Sequence, residues 1–161
     1  MIAIYEVDEK YIDYLLPFAP HLFHNKKQSQ KNQRKYVGVI FEINEVKYFA
    51  PLSSFKSKHI KMKETVDFIK LKDMAVININ NMFPVPDSCY SYVDFTKIID
   101  IKYKSLLMNE YRIIRVIQDK IRKNAKVVYK HKINNNNTTS LGKRCNDFML
   151  LEAKCKKYIK E

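Results

Sequence analysis

Glycine is almost absent: Gly38 and Gly142 are the only two in 161 residues. That leaves no room for the glycine-rich loops with which Walker, Rossmann and kinase folds cradle phosphates, and no GxSxG elbow occurs either. Cysteine is scarce as well. Cys89, Cys145 and Cys155 are odd in number and form no CxxC, which excludes zinc-site spacing and a disulfide framework and points to buried or inert thiols. His21, His24 and His131 have no histidine or carboxylate partner at ligand spacing, so no metal or other cofactor is expected. No apolar run approaches the roughly 18 residues that span a bilayer. The opening stretch, MIAIYEVDEKYIDYLL, carries acids where a secretory signal would place an apolar run behind basic residues. A cytoplasmic protein without a membrane partner is the expectation.

What the chain has in excess is positive charge. Thirty Lys and Arg stand against 17 acids, a net charge of +13, and so large an excess repels itself unless a polyanion relieves it. Nucleic acid is the first candidate partner and an anionic membrane surface the second. A genome rich in A and T, which favours Lys, Asn, Ile and Tyr codons, is the alternative source of the lysines. Hydrophobic residues at 46% and charged residues at 29% are a globular balance, so residues 1–161 are read as one folded domain.

Alternation over Ile2–Val7 predicts a short strand, and Asp8 then caps a helix with Tyr11, Ile12, Leu15 and Leu16 on one face, ended near Pro17 and Pro20. The polar, basic segment HNKKQSQKNQRK has no period and reads as a loop. Tyr36–Ile43 is the clearest strand; Asn44-Glu45 turns it into a return strand, Val46–Leu52, as a β-hairpin. Gly38 inside the first strand predicts a bulge or a close backbone approach. Further strands are expected around Val66–Leu71 and through Asp73–Val85. Leu107, Tyr111, Ile114, Ile117 and Ile121 then form one apolar stripe of a single long helix, with Arg112, Arg115, Arg122 and Lys126 on another face. Residues 133–142, INNNNTTSLG, read as a polar low-complexity loop. A last helix over about 146–160 carries Phe148, Leu151 and Cys155 on one side. Strands first and helices later predict an α+β fold with a curved, mostly antiparallel sheet.

Chemistry concentrates at the end of the return strand, YFAPLSSFKSKH. There the apolar run stops and Ser53, Ser54, Lys56, Ser57, Lys58 and His59 follow within seven residues. A hydroxyl donating to a phosphate oxygen, with a lysine two or three residues on to neutralise it, suits an anion site. Serines leaving a strand also satisfy their own turns. His59 has the titration range of a general acid or base, although its lysine neighbours would lower its pKa. Arg34, at the entry to the main strand, could stabilise a pentacoordinate phosphorane; with Lys35 it could equally be a charged strand edge that deters aggregation. Lys31, Lys35, Tyr36 and Lys58 are candidate RNA contacts close to this end, and the arginine-bearing helix face fits a nucleic-acid backbone or plain solvation. Tyr90, Tyr92 and Tyr103 lie near basic residues, where a ring can stack an unpaired base.

Four stretches in order, RKYVGVIFEI, YFAPLSSFKSKH, AVININNMFPV and CNDFMLLEAKCKKY, together resemble the ToxN/AbiQ family of type III toxin–antitoxin endoribonucleases across nearly the whole chain. The resemblance implies a strongly bent antiparallel sheet with flanking helices, similar to the Kid/MazF class of toxin folds. It implies a metal-independent endoribonuclease that cuts mRNA and its own repetitive antitoxin transcript, with links to abortive phage infection. It also implies that the RNA repeat folds as a pseudoknot and closes a toxin–RNA hetero-oligomer. Position by position, the family's second motif hydroxyl falls on Ser54, the first on Ser53, the following lysine on Lys56, the basic residue before the main strand on Arg34 and the closing histidine on His59. Some members have a tyrosine four places before that basic residue; here Gln30 stands there. A non-catalytic basic RNA-binding module using the same strand end is the alternative function.

Overall fold

The structure, a computed structural model, describes residues 2–22 and 33–158. Lys31, Gln30, His24 and most of the polar segment around them lie outside the described residues. Strand β1 (Ala3–Val7) leads into helix α1 (Glu9–Leu15), whose N-cap Asp8 accepts a hydrogen bond from the Lys10 amide; the chain then tightens into a 3-10 turn containing Pro17. Strands β2 (Lys35–Ile43) and β3 (Val46–Ser54) form the expected hairpin. Asn44 and Glu45 both have positive φ, 52° and 66°, the sign a two-residue turn of primed type requires.

Short strands β4 (Phe68–Leu71), β5 (Ala75–Asn78), β6 (Phe83–Val85) and β7 (Tyr90–Tyr92) complete one sheet in the order β4-β5-β3-β2-β1-β7, with β6 added to β3. Every pairing is antiparallel. The stretch read as one strand, Asp73–Val85, is therefore two, split by a 3-10 turn at Ile79–Asn81. β5 and β6 use different parts of β3: Leu52–Ser54 pairs with β5 and Lys47–Phe49 with β6.

The long helix is also two, α2 (Ile101–Val116) and α3 (Gln118–Asn135), broken at Ile117. Helical bonds continue on both sides, from the Ile117 amide to Ile113 and from the Ile121 amide to Ile117, so the apolar stripe runs on across the break. The asparagine run is less of a loop than its composition implies. α3 reaches Asn135, and α4 (Ser140–Arg144) starts after Thr139 caps it through the Gly142 amide. Helix α5 (Phe148–Lys157), capped by Asp147, buries Phe148, Leu151 and Cys155 as its period requires, and Glu152 with them. No helix among the described residues is long and apolar enough to cross a membrane.

Strand alternation sorts the core into two layers. Val46, Tyr48, Ala50 and Leu52 of β3 pack with Leu107 and Ile114 of α2 and Ile121, Ala125 and Val128 of α3. Phe49 of β3 joins Tyr5, Tyr36 and the α1 residues Tyr11, Ile12 and Leu15 on the other face. Gly38 makes both features expected of it. The β2–β3 register shifts between Val37 and Phe41, and a Cβ at Gly38 would collide with the ring of Phe49. Gly38→Ala is accordingly expected to lower folding stability by about 1–3 kcal/mol through overpacking, read as a lower urea midpoint at unchanged slope.

Candidate active site

The serine end is built by register. Leu52, Ser53 and Ser54 pair with Ile77, Val76 and Ala75, while Lys35 pairs with Leu52 on the other side. One residue further along β2's line is Arg34, facing Ser53. Its Nη1 donates to Ser53 Oγ at 3.2 Å, and Asn78 Nδ2 donates to the same oxygen at 3.4 Å. An oxygen that accepts from two N–H groups keeps its own O–H as a donor directed elsewhere. Burial lowers the pKa of the half-buried Arg34 guanidinium from its ordinary value, a cost to a cation that a bound phosphate would offset.

Ser54 is the last residue of β3 and is exposed. Alternation sends its side chain to the opposite side of the strand from Ser53, so the two hydroxyls straddle the strand end instead of lying side by side. The ladder continues one residue, the Phe55 amide donating to Met74 at 3.4 Å. A 3-10 turn at Ser57–His59 follows. The Lys56 amide donates to His59 Nδ1 at 2.9 Å and the His59 amide to the Lys56 carbonyl at 2.9 Å, which fixes the backbone from which the exposed Lys56 side chain leaves.

His59 is buried in spite of its lysine neighbours. It is 6% exposed, with its ring 5.5 Å from Phe55 and 5.6 Å from Phe68. Burial first, then Lys58, Lys56 and Lys70, push its pKa below the ordinary value. A neutral ring that accepts at Nδ1 carries its proton on Nε2. The arrangement ties the buried imidazole to the Lys56 backbone.

Two further candidates are corrected. Lys35 is buried, paired with Glu6 at 3.1 Å, bonded to the Gln33 carbonyl at 2.9 Å and set 5.8 Å above the Tyr103 ring, so its charge is spent inside the protein. Tyr36 is fully buried, edge-on to Phe83 at 5.5 Å, and presents no ring to a base. Lys58 is exposed near the serine end. Arg112, Arg115 and Lys126 are exposed, but the break at Ile117 divides the first two from Arg122 and Lys126. Arg112 bonds Asn109, and Arg122 bonds Gln118 at 3.2 Å, both within their own helices.

Asn78 escaped the sequence reading. Its only signal was the alternation in AVIN, which puts Asn78 on the same strand face as Val76; that this face meets Ser53 depends on a pairing invisible in one strand. Among the described residues, no group of three His, Cys, Asp or Glu side chains is arranged to hold a metal ion. All three cysteines are buried.

A profile of the family described as toxin ToxN, type III toxin–antitoxin system, matches residues 3–156. The chain belongs to the ToxN family. It is 31% identical to the endoribonuclease AbiQ of Lactococcus lactis subsp. lactis over 174 residues, covering 99% of this chain and 91% of that protein. A solved structure from work on a processed non-coding RNA that regulates a bacterial antiviral system superposes with a TM-score of 0.87 at 25% identity, covering 98% of this chain and 99% of the other. A second, from work on selective toxin inhibition by a non-coding RNA pseudoknot in type III toxin–antitoxin systems, gives 0.83 at 28% identity, covering 99% of each. These matches place this ToxN-family chain in the α+β architecture of its relatives from end to end.

Proposed function

We propose that this protein is a metal-independent endoribonuclease, the toxin of a type III toxin–antitoxin system that acts against phage. The observation that carries the reading is Ser53 Oγ held between Arg34 and Asn78 at the end of β3, next to Ser54 and Lys56, in a chain that matches the ToxN family over almost its full length.

RNA brings its own nucleophile, the 2′-OH. The protein has to align it with the scissile phosphorus and stabilise the charge that builds on the phosphate oxygens. Arg34 and Lys56 hold the phosphate, and the O–H of Ser53, its oxygen already occupied as an acceptor, donates to a non-bridging oxygen. Ser54 meets the phosphate from the other side of the strand end. The 2′-oxygen bonds to phosphorus as its proton leaves, the P–O5′ bond breaks, and the departing 5′-oxygen takes up a proton. The products are a 2′,3′-cyclic phosphate and a 5′-hydroxyl. DNA, lacking the nucleophile, is bound without being cut. mRNA and the protein's own repetitive antitoxin transcript are the substrates, and the excised pseudoknot repeat closes toxin and RNA into an inhibited hetero-oligomer. The basic residues outside the serine end, Lys58, Arg112, Arg115, Arg122 and Lys126, contribute backbone contacts to that RNA.

The test is cleavage of a mixed single-stranded RNA in EDTA with end-group analysis. Unmutated protein should produce cyclic-phosphate ends. Ser54→Ala, a change at an exposed side chain, should cut at least about 10²-fold more slowly while melting at the same temperature. Tight binding without cleavage by either protein would replace the nuclease with a passive RNA clamp.

A further inference from the structure

The cleft beside the serine end plays no part in that chemistry. It holds about 750 Å³ and is walled in part by Glu6, Gln33, Lys35, Tyr92, Asp94 and Tyr103, a size typical of small-ligand sites. Gln33 and Lys35 flank Arg34 in the chain, so alternation turns this wall of the cleft to the sheet face away from the guanidinium assigned to the phosphate.

The face that carries Arg34 offers a different feature, Tyr92. It ends β7, is 71% exposed, and stacks on Tyr5 with centroids 4.7 Å apart and planes 30° apart. Tyr5 is buried and wedged edge-on by Phe49 at 5.1 Å and Tyr90 at 5.3 Å. The Tyr92 ring is thus braced from behind while remaining largely open to water. A ring held in this way has little freedom left to lose when a second ring stacks on it. Every nucleobase offers a π-face, and unpaired bases in RNA are recognised on such platforms.

Placement agrees with chemistry. Tyr5 pairs with Tyr36 on one side and with Tyr92 on the other. Arg34 precedes Tyr36 by two residues, so alternation puts Arg34 and Tyr92 on the same sheet face. β1 alone separates β2 from β7, which sets Tyr92 roughly 10 Å across the sheet from Arg34.

We infer that Tyr92 is the stacking platform of a nucleobase subsite on the Arg34 face of the sheet, taking one unpaired base of the RNA close to the cleaved bond. The inference rests on the ribonuclease reading of the serine end, and two measurements keep them apart. The first is binding of mixed single-stranded RNA by the Ser54→Ala protein with and without Tyr92→Ala. The second is base preference around the cleaved bond in randomised RNA, for unmutated protein, Tyr92→Ala, Tyr92→Leu and Tyr92→Phe. Tyr92→Ala should bind about ten-fold more weakly and lose preference at one position near the cut. Tyr92→Leu, which keeps apolar cover over Tyr5 but has no π-face, should behave as Tyr92→Ala. Tyr92→Phe should match the unmutated protein, since the ring and not the hydroxyl stacks. Unchanged affinity and preference in Tyr92→Ala and Tyr92→Leu would overturn the platform and leave the nuclease intact. Weakened binding by a protein that cuts no RNA would leave the platform intact and remove the nuclease.

Discussion

Arg34→Ala is expected to cut RNA about 10²–10³-fold more slowly, the loss typical when one preorganised donor to a developing oxyanion is removed. Two roles disappear together. The guanidinium is a partly desolvated cation whose field is poorly screened, and it also fixes Ser53 Oγ through the 3.2 Å bond. Asn78 alone would then hold Ser53, at 3.4 Å. Arg34→Lys should lose less, because the charge survives while the planar fork does not. Single-turnover cleavage at saturating RNA isolates the chemical step. A rate for Arg34→Ala within two-fold of the unmutated protein would remove this residue from the site.

Glu152→Ala should destabilise the fold by about 2–5 kcal/mol, since each buried donor left without an acceptor costs about 1–3 kcal/mol. Glu152 is a buried acid on α5, which itself packs with β6 and α3. Its Oε2 accepts from the hydroxyls of Tyr48 at 2.6 Å and Tyr129 at 2.8 Å, and its Oε1 from Asn44 at 3.2 Å. One carboxylate thus joins the hairpin turn, the central strand, α3 and α5. Burial, followed by the bond to Glu152, raises the pKa of both phenols well above the ordinary tyrosine value, so both remain donors at any working pH. Glu152→Gln keeps an acceptor oxygen and should lose only part of this. Urea unfolding followed by far-ultraviolet dichroism reads the difference, and a shift under about 1 kcal/mol for Glu152→Ala would show that water satisfies the two hydroxyls.

The hairpin, the Asp8 cap and the buried face of α5 were legible because each is set by residues a few positions apart. The break at Ile117 was not, since Leu107, Ile114 and Ile121 remain buried on both sides of it and the apolar period never falters. The asparagine run misled for another reason. Lys132 sits buried near the end of α3 and donates to Asn137 Oδ1 and the Gly142 carbonyl, both at 2.7 Å, which folds the segment back on the helix. No composition rule contains that contact. At the serine end, the residue types and their order were readable, but the division of labour was not. Lys35 and Lys56 look alike in the sequence, yet one meets Glu6 from 29 positions away and is buried, while the other is exposed. Asn78 needed the β3–β5 register to become a partner of Ser53.

The strand that carries the serines is bonded to β2 along its length, to β5 at one end and to β6 at the other. Such a strand opens only when the whole molecule does, so its amide protons should be among the slowest to exchange with deuterium, Leu52 and Ser53 included. The serine end is then already assembled before RNA arrives, and it does not melt away when RNA leaves. An inhibitor of such an enzyme has no local unfolding to exploit. With the site proposed above, inhibition consists of occupying the strand end, and free protein released from it is competent at once.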